Sequence, residues 1–211
     1  MSFDRRLLLT GMAATLAGGG ITMSDADAAP GFDARIALSD KALSIAYRVT
    51  NTGGKPIFVT NKLHRAGARP VIDQDHVYSW LEGNGRLVVA KIMPVIPRDR
   101  SPTNLVAPYM TRLDPGRAVE ESLSLPVPVR PYLEYHDNTP LAEDVAASSV
   151  EFRLGWFLPP DGAAMVSDTA FGHKVDNFRN PPGRQARYSE LRSAAVGLQV
   201  PVRRTRAMDR G

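Results

Sequence analysis

The side chains best suited to hold a metal or move a proton in this 211-residue chain are four histidines, His64, His76, His136 and His173. Cysteine is absent, which removes thiolate zinc sites, iron–sulfur clusters, disulfides and cysteine nucleophiles in one step. His76 closes the run Asp73-Gln74-Asp75-His76, which alternates oxygen and nitrogen donors. Glu134 and His136 share a face if residues 132–137 are extended, because side chains two apart on a strand point the same way. His76 and His136 are therefore the candidate metal ligands, with Met93, Met110 and Met165 as soft partners of the kind copper accepts. Neither has a third ligand at a recognised spacing, and the HExxH and EF-hand signatures are missing. Ordinary hydrogen-bonding histidines are the competing reading.

Nucleophile motifs are missing too: there is no G-x-S-x-G elbow, no S-x-x-K beside its usual partners and no phosphate-binding glycine loop. Glu120 and Glu121 are adjacent, so on a strand they face opposite sides and cannot act as a carboxylate pair. No catalytic residue is assigned and no cofactor is identified. Tyr78 with Trp80, and Phe152 with Trp156, share strand faces and read as filling between two sheets. Tyr132 and Tyr135 lie beside Pro131 and His136, outside the main alternation, and are the first candidates for a contact surface. Arg203, Arg204 and Arg206 form the second, a basic segment able to touch an anionic envelope component or an acidic partner.

That basic segment explains the charge. The net charge is +4, yet residues 29–183 hold 17 basic and 17 acidic side chains, while residues 184–211 hold 7 and 2. A neutral body lacks the dense positive face that nucleic acid requires, so no nucleic-acid partner is expected.

The elements that must position these residues have a period of two. Leu43, Ile45, Tyr47 and Val49 alternate with Ser44, Ala46, Arg48 and Thr50, and Val150, Phe152, Leu154 and Trp156 alternate with Glu151, Arg153 and Gly155. Each such strand offers one apolar face. Val119, Glu121, Leu123 and Leu125 keep the rhythm except at Glu121, and Val196, Leu198, Val200 and Val202 keep it with Pro201 marking an edge or end. Gly83-Asn84-Gly85 predicts a hairpin between residues 76–82 and 86–92, and Asp114-Pro115-Gly116 a turn before Val119. Short helices are predicted only at 143–147 and 189–196. Residues 94–108 and 171–183 read as long loops. The prediction is seven to nine short strands in an antiparallel β-sandwich with little helix, a single domain over 29–202, followed by a basic, disordered tail over 203–211.

The run from Tyr47 to Ile57, Tyr-Arg-Val-Thr-Asn-Thr-Gly-Gly-Lys-Pro-Ile, with Leu113-Asp114-Pro115-Gly116 later, resembles the strand, turn and strand of bacterial immunoglobulin-like sandwiches. Small bacterial proteinase-inhibitor domains are similar in this segment. The beginning of the chain resembles a twin-arginine export signal: Arg5-Arg6, a charge-free run from Leu7 to Ser24 diluted by glycine, and a small-residue Ala26-x-Ala28 site. That resemblance implies a signal peptide over 1–28, a mature chain beginning near Ala29, a periplasmic location and folding before transport. With no cysteine at the cleavage site, no lipid anchor and no stable membrane anchor after cleavage are expected. Three functional expectations follow: a non-enzymatic binding or accessory module with another envelope protein as partner, a copper-type metal or cofactor-associated protein, and a proteinase inhibitor presenting residues 94–108.

Overall fold

The computed structural model describes residues 28–65, 71–103 and 105–206. In chain order its strands are β1 (Gly31–Leu38), β2 (Ala42–Thr50), β3 (Ile57–Lys62), β4 (His64–Arg65), β5 (Val71–Ile72), β6 (Tyr78–Leu81), β7 (Arg86–Lys91) and β8 (Tyr109–Leu113). There follow β9 (Ala118–Pro126), β10 (Pro140–Ala147), β11 (Ser149–Leu158), β12 (Ala164–Ala170), β13 (His173–Arg179), β14 (Arg187–Arg192) and β15 (Val200–Thr205). No α-helix occurs among the described residues.

Alternation dictates the layering. Leu43, Ile45, Tyr47 and Val49 are buried while Ser44, Ala46 and Arg48 are exposed, so one face of β2 needs a cover. β2 pairs antiparallel with β1 and β9, and this three-stranded sheet lays its apolar face on a larger one ordered β12-β13-β8-β3-β11-β7-β6, with β14 also paired to β11. The shared core gathers Ile45 and Leu123 from the small sheet with Val59, Val89, Phe152 and Trp156 from the large one. The result is an all-β, mainly antiparallel sandwich; the β7–β11 pair is parallel. Its long strand β11 pairs with β7 through Leu154 and with β3 at Trp156 and Phe157. At that changeover the Thr60 hydroxyl sits 2.9 Å from the Lys91 carbonyl and 3.0 Å from the Gly155 carbonyl.

A smaller apolar cluster lies on the other face of the large sheet, where Leu63, Tyr78, Val88, Ala90 and Ile92 pack with Trp80, Tyr132 and Leu133. There Arg153 stands over the Trp80 ring and bonds Glu151 at 2.5 Å and Glu82 at 2.8 Å. Burial works against the Glu151 carboxylate, but Arg153 and Arg86 overcome it and hold its pKa below the usual value.

Fifteen strands are described where seven to nine were expected, and five further sequence expectations are corrected. Residues 143–147 are not helical but belong to β10, and 189–192 belong to β14 rather than a helix. Both segments are too short to nucleate a helix alone, and pairing with β15 and β11 supplies backbone bonds that an isolated turn cannot. The expected loop 171–183 contains β13, which is mostly exposed and so shows no apolar period. The expected strand from Val196 begins only at Val200, and it runs to Thr205, so Arg203 and Arg204 are strand residues rather than tail; residues 207–211 lie outside the described residues.

Candidate functional site

Four inward-facing positions of the sandwich carry polar side chains. Lys91 follows Leu87 and Val89 along one face of β7, Asn61 follows Ile57 and Val59 on β3, Glu121 lies between Val119 and Leu123 on β9, and Tyr47 between Ile45 and Val49 on β2. The two sheets bring them together. Lys91, with 0% exposure, donates through Nζ to the Asn61 carbonyl at 2.9 Å and lies 3.5 Å from Glu121 Oε2. Glu121 also accepts from the Tyr47 hydroxyl and, at 2.5 Å, from Asn61 Nδ2. Burial pulls the Lys91 pKa below that of an ordinary lysine against the opposing pull of Glu121, and burial first, then Glu121, pushes the Tyr47 phenol far up. Asn61 Oδ1 is buried without a hydrogen-bond partner. The break at Glu121 in an otherwise apolar rhythm was the only sequence signal of this cluster. Its chemistry is that of an ionic clamp between the sheets.

Beside the clamp, residues 73–76 form a turn in which the Asp75 N–H donates to Asp73 Oδ1 at 2.9 Å and the His76 N–H to the Asp73 carbonyl at 3.1 Å. This turn is stitched to the free edge of β9: Gln74 Nε2 donates to the Ser122 carbonyl at 2.7 Å, and Asp75 Oδ1 accepts the Ser124 N–H at 2.8 Å. Asp73 is meanwhile bonded to Arg65 at 2.7 Å. The carboxylates that the sequence offered as metal ligands are thus occupied in holding the turn.

His76 is carried by that turn to the wall of a cavity of about 450 Å³, within the range of small-molecule sites. Val77, Leu125, Pro126 and Val129 give it an apolar floor, and Arg65 and Arg130 stand with Ser79, Ser124 and Tyr132 around it. The His76 and Tyr132 rings are 5.1 Å apart and tilted, so two candidates drawn separately from the sequence share one wall. Burial, then Arg65, lowers the His76 pKa, and the ring is held neutral. Burial, then Glu134, which accepts the Tyr132 hydroxyl at 3.0 Å, raises the Tyr132 phenol to about 12.

The other candidates lie elsewhere. Tyr132 is bridged to Ser79, but residues 133–136 then form a turn rather than a strand, with Tyr135 at φ 66°, so Glu134 and His136 do not line up on one face; instead His136 Nδ1 bonds the Glu134 carbonyl at 2.9 Å. Asn138 enforces that turn by bonding both the N–H and the carbonyl of Leu133. His136 lines a separate, apolar cavity of about 220 Å³ with Tyr78, Trp80 and Pro94. Among the described residues, no group of three or more histidine, aspartate and glutamate side chains is placed to hold a metal ion. Tyr135 accepts the Val106 N–H at 2.5 Å and so ties down the 94–108 loop. Arg203 pairs with Asp144, Arg204 with Glu143 at 2.8 Å and Arg206 with Asp137 at 3.8 Å, so this basic segment is matched by acidic residues of its own chain. Of the signal residues, Arg5, Arg6 and Ala26 lie outside the described residues, and Ala28 is exposed.

A larger depression, about 710 Å³, lies over the small sheet, but its Arg35 and Arg48 are offset by Asp33, Glu120 and Glu121, and Arg48 is bonded to Glu120 at 2.5 Å. Charges that cancel within a wide, solvated surface give little selectivity. The sequence did not mark Arg65, in the two-residue strand β4, or Arg130, on a loop, because a single arginine in so short a segment carries no pattern. No protein-family model, curated protein or solved structure matches this chain. Among the described residues no helix is long and apolar enough to cross a membrane.

Proposed function

We propose that this chain is an exported, periplasmic β-sandwich that serves as a non-enzymatic binding or accessory module, taking a small ligand in the cavity walled by His76 and Tyr132. The observation that carries the reading is the cavity itself: an apolar floor, a wall of two adjoining rings and a guanidinium rim. Such a combination orients a ligand without supplying a reacting group. Ser79, Ser124, His76 and Asp75 all line it, yet they are not wired as a nucleophile and base: His76 makes no side-chain hydrogen bond to either serine, and Asp75 is turned to the Ser124 N–H. The immunoglobulin-like resemblance and the Arg5-Arg6 signal belong to the same reading, since they fit a module that works in the envelope beside another protein.

Two measurements test it. Replacing Arg5 and Arg6 together by lysine should keep the protein in the cytoplasm, and unchanged periplasmic recovery would refute the export route. A ligand screen on the mature chain should give hits that shift the His76 ring signals in an NMR spectrum, with no turnover of hydrolase or oxidase substrates. Turnover abolished by a point change in the cavity would refute the non-enzymatic reading. A second reading, proteinase inhibition, is supported by the exposure of Val95 (75%) and Leu105 (73%) on a loop anchored through Tyr135; inhibition of envelope proteases lost on Leu105→Asp would favour it.

A further inference from the structure

Resting on the reading that this cavity holds a ligand, we propose that the ligand class is a carboxylate on a short apolar or aromatic stem, with Arg130 meeting the carboxylate. Three groups at the cavity carry charge, Arg65, Arg130 and Asp75. Arg65 is bonded to Asp73, outside the cavity, and Asp75 accepts the Ser124 N–H. Arg130 is exposed and, among the described residues, makes no ion pair or side-chain hydrogen bond. One guanidinium is thus left to recognise a ligand.

The sign of that charge selects an anion, and its number selects the kind. A guanidinium presents a planar fork of N–H donors that matches a carboxylate two bonds to two. A phosphate dianion calls for a second cation, and the neighbouring arginine is already engaged. A cationic ligand would meet Arg130 and Arg65 with only Asp75 in its favour. Away from the rim the lining changes character. Val77, Leu125 and Val129 are buried in the floor, and the His76 and Tyr132 rings form one wall beside it, so the part of the ligand behind the carboxylate must be apolar. A neutral His76 adds a nitrogen able to bond the ligand without adding charge. Among the residues around the cavity Arg130 is therefore the specificity-determining one, and it is exposed enough to be changed without disturbing the core.

Phenylacetate and its neutral isostere phenylacetamide separate the possibilities, with binding followed by titration calorimetry and by the His76 ring signals. The expected result is that the acid binds and the amide binds at least about tenfold more weakly, since a charge-assisted hydrogen bond carries roughly that factor. Arg130→Gln should abolish the preference for the acid, Arg130→Lys should restore part of it, and Arg35→Gln, in the other depression, should leave it intact. A tripeptide ending in phenylalanine, offered with a free and with an amidated terminus, tells a small acid from a peptide terminus as the source of the carboxylate. Amide and acid bound equally tightly, or an acid preference that survives Arg130→Gln, would overturn the ligand class and leave the binding reading standing. If neither probe nor any screened compound moves the His76 signals, both fall.

Discussion

A lysine with no exposure has exchanged the whole hydration shell of its ammonium group for protein partners, and Lys91 has found two, the Asn61 carbonyl and Glu121. Breaking a buried pair from one side leaves a charge unanswered, whereas replacing both members with apolar groups is far milder. Lys91→Met is therefore expected to lower stability by about 3 kcal/mol, and Lys91→Met with Glu121→Leu to recover most of it. Urea unfolding of the two singles and the double gives the coupling directly, and additive losses would dissolve the clamp. His76 contributes to the start of the acid limb, above the carboxylate range. Its neutral form is favoured in the fold by burial and by Arg65, with His64 and Lys91 acting the same way and Asp73 opposing. The unfolded chain therefore takes the proton first as the pH falls through the usual value of 6.5. Stability from this group is fully present above that pH and declines below it until the folded-state pKa is passed. His76→Gln should flatten the stability profile just below the usual histidine value of 6.5, which thermal melts at a series of pH values falling from neutrality would register.

At the scale of elements, β11 sits on close approach. A Cβ at Gly155 would lie 2.6 Å from Thr60 Oγ1 and 2.7 Å from the Tyr188 hydroxyl. Tyr188 is itself fixed, since its hydroxyl accepts the Met93 N–H at 3.2 Å. Gly155→Ala should cost about 1–3 kcal/mol by overpacking and loosen β14 from β11, visible as faster amide exchange in β14. The hairpin of β12 and β13 is closed by two residues, Phe171 and Gly172, at φ 51° and 81°. Glycine tolerates that region and a bulky aromatic does not, while asparagine is favoured at the first position of such a turn. Phe171→Asn should raise stability by up to about 1 kcal/mol despite losing the ring contacts to Tyr109 and His64, and a lower melting temperature would show that those contacts outweigh the strain. Three of the strands that the sequence missed share one property. β10, β12 and β13 expose most of their residues, so they have no apolar alternation to read, and it is their partner strands that define them.

Across the whole molecule the stabilising pairs are distant in sequence. Ile45 pairs with Leu123, Val59 with Trp156 and Val145 with Val202. Closing such loops before their contacts form makes folding slow, on the order of seconds rather than milliseconds for a sheet protein of this length, and stopped-flow refolding should show it. With no cysteine, rate and yield should not change with reductant.

The sequence by itself determined the material of the two layers. Period-two alternation in residues 43–50, 119–125 and 150–156 is local, and each of these segments does form the strand it predicts, β2, β9 and β11. The hairpin at Gly83-Asn84-Gly85 and the turn at Asp114-Pro115-Gly116 are equally local, because backbone conformation at such positions depends on the residues themselves; Gly85 and Gly116 take positive φ as those turns require. Tertiary structure alone decided the sites. His76, Tyr132 and Arg130 come to one cavity, and Lys91, Asn61, Glu121 and Tyr47 to one clamp, from segments whose spacing carries no common pattern. A site of this kind is a coincidence of faces: it exists because one sheet is laid on another at a particular register, and no single strand records which residue of another it will meet.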